Sequence, residues 1–112
     1  MRDMLRQALQ RRGHTVDEAA DGREALRRFE EHQPDVVITD LVMPGMEGIE
    51  TIQVMHKLHP DLPIIAISGG GRLGPDGYLA IAAQIGAKRT FAKPFRLEDV
   101  ATAVQELTAG KA

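Results

Sequence analysis

The sequence predicts an α/β fold in which a parallel sheet carries helices on both faces. Two observations lead there. Compact runs at Val36-Val37-Ile38, Ile64 to Ile67 and Arg89 to Ala92 suit the buried strands of a parallel sheet. Between them, apolar residues recur at helical spacing, so strands and helices alternate along the chain.

Met4, Leu5, Ala8 and Leu9 stripe a first helix from Arg2 to Arg12, and Gly13 stands where a C-terminal cap belongs. Thr15 to Ala19 alternates weakly between Gly13 and the Asp21-Gly22 turn and is expected to be a short strand. Ala25, Leu26 and Phe29 mark a second helix over about Gly22 to His32, which Pro34 prevents from continuing. The Val36 run follows and ends at Thr39-Asp40. After a Pro44-Gly45 turn signal, Ile49, Ile52, Met55 and Leu58 define a third helix that stops before Pro60. Ile64 to Ile67 closes at Ser68, and a glycine-rich connection then runs to Gly77 before a short helix around Tyr78 to Ile85. Arg89 to Ala92 is cut off by Pro94, and Leu97, Val100, Val104 and Leu107 stripe a last helix. Four strands and five helices are therefore expected.

A chain of 112 residues with net charge −2 falls within the size of one domain, so a single domain without a separate output module is expected. The longest apolar run, Tyr78 to Ala83, is far short of the roughly 20 residues that span a bilayer, and a cytoplasmic location is the expectation. Absence of cysteine excludes disulfides and thiolate metal sites within these residues. Basic residues interspersed with acidic ones argue against a nucleic-acid surface and toward a protein partner.

Ligands of open parallel sheets gather at the carboxyl ends of the strands. The three clear strands end in Asp40, Ser68 and Lys93, and neighbouring strands lie only about 4.8 Å apart. A carboxylate, a hydroxyl and an ammonium in one crevice suit phosphoryl transfer, with the carboxylate as nucleophile and the other two binding phosphoryl oxygens. Polar residues also cap buried strands routinely, so the weight falls on their joint placement.

Asp40-Leu41-Val42-Met43-Pro44-Gly45, a strand closing on Ser68, and Lys93-Pro94-Phe95 together resemble the receiver domain of two-component response regulators. The resemblance extends from the opening helix to about Leu107. It implies a flavodoxin-like sheet of order 2-1-3-4-5. It also implies that Asp40 accepts a phosphoryl group from a phosphohistidine on a sensor histidine kinase or phosphotransfer protein. Ser68 would be the switch hydroxyl and Lys93 the cation that pairs with the phosphate. Mg²⁺ would be held partly by Asp40 and the backbone carbonyl of Val42. Such a domain accepts a phosphoryl group rather than acting as a turnover enzyme, and it passes its signal to a downstream protein target.

Two features depart from the family pattern. Thr90 stands where the family carries an aromatic residue three positions before the lysine, while Phe91 alternates to the opposite face. Receivers also open with a strand ending in an acidic pair, whereas this sequence opens in the helix that follows. Asp3, Asp17 and Asp21 are the nearest upstream carboxylates, and all three read as solvated or capping residues. Asp40 without that pair is a poor Mg²⁺ site, so weak metal binding and poor phosphorylation are expected.

In the family order the first strand is central. Without it a gap opens beside the Val36 strand, where buried unpaired backbone groups cost about 1–3 kcal/mol each. Either the Thr15 strand closes onto the Val36 strand, or a partner chain, most simply in a homodimer, covers the open sheet edge, or Met1 is not the native start and the first strand is encoded upstream of it.

Other readings are weaker. Gly69-Gly70-Gly71-Arg72-Leu73-Gly74 matches a dinucleotide fingerprint, but Pro75-Asp76-Gly77 is expected to interpose a turn before the helix, and only one strand follows. An aspartyl phosphatase of the haloacid dehalogenase type would need a second Asp where Val42 stands. His56 and His59 lie at i, i+3 without an evident third ligand. The alternative of a different class is a pseudo-receiver, an interaction module that signals without phosphorylation.

Overall fold

The structure is a computed structural model that describes residues 2–19, 22–40, 47–68, 74–92 and 94–109. Its elements are α1 (Arg2–Arg11), α2 (Gly22–Glu31), β1 (Val37–Asp40), α3 (Glu47–Leu58), β2 (Ile64–Ser68), α4 (Gly74–Ile85), β3 (Arg89–Ala92) and α5 (Leu97–Thr108). The strands form one parallel sheet in the order β1-β2-β3. Val37 pairs with Ile64 and Asp40 with Ile67, while Ile65 pairs with Arg89 and Ser68 with Ala92.

Strand alternation divides the interior into two cores. Ile64 and Ala66 of β2 face α2, α3 and α4, joining Phe29, Ile49, Ile52, Met55 and Ala82. Ile65 and Ile67 face α1 and α5, joining Leu5, Leu9, Val100 and Val104. Every residue of β2 is buried, as expected of a central strand sandwiched between helices. Fully burying each of its isoleucines contributes about 1.5–3 kcal/mol.

Two glycines end helices in the same way. After α1 the His14 N–H donates to the Leu9 carbonyl at 3.1 Å and the Gly13 N–H to that of Gln10 at 3.0 Å, with Gly13 at φ +90°. After α4 the Ala87 N–H donates to the Ala82 carbonyl at 2.9 Å across Gly86 at φ +129°. Both are Schellman-type closures that need the positive φ glycine adopts readily. The second aims the chain into β3, where the Lys88 N–H reaches the Ile64 carbonyl at 2.8 Å.

The structure corrects the expected elements in two places. Residues 14–19 carry no regular secondary structure, so the described sheet has three strands and not four. A strand exists only against a partner, and these residues have none in a ladder. A cavity of about 130 Å³, lined by Leu5, Leu9, Val16, Ala19 and Ile38 among others, lies between them and β1. The expected closure of this stretch onto β1 is thus absent among the described residues. An ion pair from Arg6 of α1 to Glu18, at 2.9 Å, ties the stretch to α1 instead.

The second correction concerns α4, which begins at Gly74 rather than near Tyr78. Pro75 therefore sits in the first turn of the helix, where its missing N–H leaves no intrahelical bond unmade. Pro75-Asp76-Gly77 is not a separate turn, and that argument against a dinucleotide loop does not hold. The shortage of strands after it still does.

Candidate functional site

The carboxyl edge of the sheet is built by register. Asp40 ends β1 opposite Ile67, and Ser68, the next residue of β2, is opposite Ala92 at the end of β3. Adjacent parallel strands bring such termini to within about one strand spacing, ~4.8 Å, of each other. Sequence-distant residues are thereby neighbours because the parallel register aligns the carboxyl ends of the three strands. Lys93 directly follows Ala92 in the sequence but lies outside the described residues, as do Val42, Asp21, the Pro44-Gly45 signal and residues 69–73.

Asp40 continues the row of Ile38, and Ser68 continues the row of Ala66. The two side chains thus leave opposite faces of the sheet at the same end of adjacent strands. Asp40 is half-buried. Ser68 is fully buried, and its Oγ has no hydrogen-bond partner among the described residues. A buried hydroxyl in that condition costs about 1–3 kcal/mol, a deficit that an oxygen-rich ligand at the sheet edge would repair. The edge thus carries a carboxylate and a buried hydroxyl.

Metal ligation is a separate question. Among the described residues no three His, Asp or Glu side chains gather closely enough to hold a metal ion. Those residues do not make up the acidic set that Mg²⁺ prefers. Asp3 belongs to α1, and Asp17 lies in the irregular stretch after it.

The histidine pair also separates. His56 packs against Gly86 at the end of α4, whereas the His59 ring meets Phe29 of α2 at a 45° tilt with centroids 4.5 Å apart. Residue 90 behaves as its position in the strand requires. Thr90 is exposed, while Phe91 is half-buried on the α5 side, 6.3 Å from Phe95 between ring centroids. That the Ser68 hydroxyl has no partner among the described residues was not legible in the sequence, because it depends on what fails to pack beside it. Among the described residues no helix is long and apolar enough to cross a membrane.

Comparison with known proteins agrees with this architecture. The family profile described as "Response regulator receiver domain" matches residues 1–105. The chemotaxis protein CheY of Thermotoga maritima is 35% identical over 109 residues, which cover 96% of this chain and 88% of that protein. The sensor kinase CckA of Brucella abortus is 41% identical over 102 residues, covering 89% of this chain but 10% of the kinase. The crystal structure of the NtrX receiver domain from Brucella abortus superposes with a TM-score of 0.85 at 26% identity, covering 97% of this chain and 90% of that one. With its parallel sheet, five flanking helices and a profile match over nearly its full length, the chain belongs to the response regulator receiver domain family.

Proposed function

We propose that this domain is a phosphoacceptor in a two-component phosphorelay, with Asp40 as the residue that carries the phosphoryl group. The observation that supports the reading is the placement of Asp40 and of Ser68, whose hydroxyl has no partner among the described residues, at the same end of adjacent parallel strands. In the transfer, an Asp40 carboxylate oxygen attacks the phosphorus of a phosphohistidine. The new P–O bond forms as the P–N bond breaks, and the departing imidazole takes up a proton from solvent. Ser68 donates a hydrogen bond to a phosphoryl oxygen, and Lys93 supplies the positive charge that offsets its negative charge. The donor is a sensor histidine kinase or phosphotransfer protein, a class represented among the relatives by a protein named as a sensor kinase. Mg²⁺ would bind weakly through Asp40 and the Val42 carbonyl. Among the described residues β1 has a ladder partner on one side only, which supports a further strand from a partner chain.

The test is incubation with phosphoramidate or acetyl phosphate, read by intact mass. A slow phosphoryl adduct is expected, labile to hydroxylamine and absent from Asp40→Asn. An adduct that survives Asp40→Asn counts against the assignment of the acceptor. Complete absence of an adduct favours the competing reading, an interaction module that signals without phosphoryl transfer. That reading draws support from exposed Thr90 at the position of the family's aromatic readout.

A further inference from the structure

Val54 and Leu58 are among the few large apolar side chains left exposed in the described residues, at 40% and 62%. Their i, i+4 spacing places them in one ridge along α3. That ridge forms one wall of a groove of about 430 Å³ at the carboxyl ends of α2 and α3, whose other walls include Leu26, Phe29, Glu30 and His59. The Phe29–His59 ring contact holds the two helix ends together beneath it. An apolar knob and an apolar hole thus lie side by side on one face, away from the carboxyl edge of the sheet.

We propose that this face is a contact between two copies of the chain, in which Leu58 of each copy enters the groove of the other. A knob and a hole on the same patch are self-complementary, which is what a closed twofold interface requires. The groove has room for a leucine side chain, and burying Leu58 there removes the most exposed of these apolar side chains from water. Charge fits as well. Glu30 in the groove wall and exposed Lys57, the residue before Leu58, have no ion-pair partner among the described residues. When Leu58 enters the partner's groove, Lys57 arrives at its rim, where the partner's Glu30 stands. The patch is small, so the dimer is weak and concentration-dependent. The proposal is independent of the phosphoacceptor reading.

Sedimentation equilibrium on the full 112-residue chain tests it. A reversible monomer–dimer equilibrium is expected. Leu58→Lys should weaken it by about tenfold or more with an unchanged circular dichroism spectrum, since Leu58 lies outside both cores. Glu30→Lys and Lys57→Glu should each weaken the dimer, and the double swap should restore it. A protein that stays monomeric overturns the proposal and leaves the groove to another partner. A dimer that ignores both Leu58→Lys and the charge swaps also overturns it, placing the contact elsewhere, the edge of β1 included.

Discussion

Gly86 and His56 are in a contact that only glycine permits. A Cβ placed on Gly86 would lie 2.6 Å from the His56 Cγ, and the backbone there sits at φ +129°. The ring of α3 therefore rests directly on the backbone that ends α4. Two costs follow for any side chain at 86: the unfavourable φ and the collision. Gly86→Ala should lower stability by about 1–3 kcal/mol, the range for strained backbone at such a position, measured by urea denaturation. Part of that loss should disappear in a His56→Ala background, and a double-mutant cycle with no coupling would show that the contact is not the cause.

Gly13 supplies the comparison. Its φ is +90°, but a Cβ there would meet nothing within 4 Å. Gly13→Ala should cost only the conformational term, about 1 kcal/mol, and less than Gly86→Ala in the same denaturation experiment. Equal losses would mean that the His56 collision relaxes freely.

Ser68 should behave unlike most buried polar residues. Its Oγ has no partner among the described residues, so Ser68→Ala removes a desolvated hydroxyl without orphaning another group. Stability should stay the same or rise by up to about 1 kcal/mol, while the yield of the Asp40 phosphoryl adduct falls. A destabilisation of several kcal/mol would reveal a hydrogen bond that the hydroxyl makes.

The Arg6–Glu18 ion pair is the side-chain tie between α1 and the stretch that lies across the cavity from β1. Arg6→Ala should cost about 0.2–1 kcal/mol, less at high salt, and should speed hydrogen exchange at residues 15–19 more than within β2. Uniform acceleration across the domain would assign the pair a global role instead.

Metal dependence gives one more outcome. Because the described carboxylates do not assemble a Mg²⁺ ligand set, the rate of Asp40 phosphorylation from acetyl phosphate should rise little on titration to millimolar Mg²⁺. A steep, saturating rise would show that the acidic ligands are supplied after all.

Much of this domain was legible before any coordinates. Strands at Val36, Ile64 and Arg89 and the stripe Leu97, Val100, Val104, Leu107 are local patterns, because short β-branched runs and one-sided helical periodicity are read from residue type directly. Asp40 and Ser68, which end β1 and β2, could be named in the same way. The irregular path of residues 14–19 could not, since a strand is a relation between two segments and the pattern of one alone is insufficient. Nor could the start of α4 at Gly74, where glycine and proline read locally as a loop but are tolerated in a helical first turn. Which hydroxyl lacks a partner among the described residues, which histidine lies on which glycine, and that Asp40 and Ser68 end adjacent strands on opposite faces were decided by packing alone. Those placements depend on the register of one strand against the next, and no single stretch of sequence contains that information.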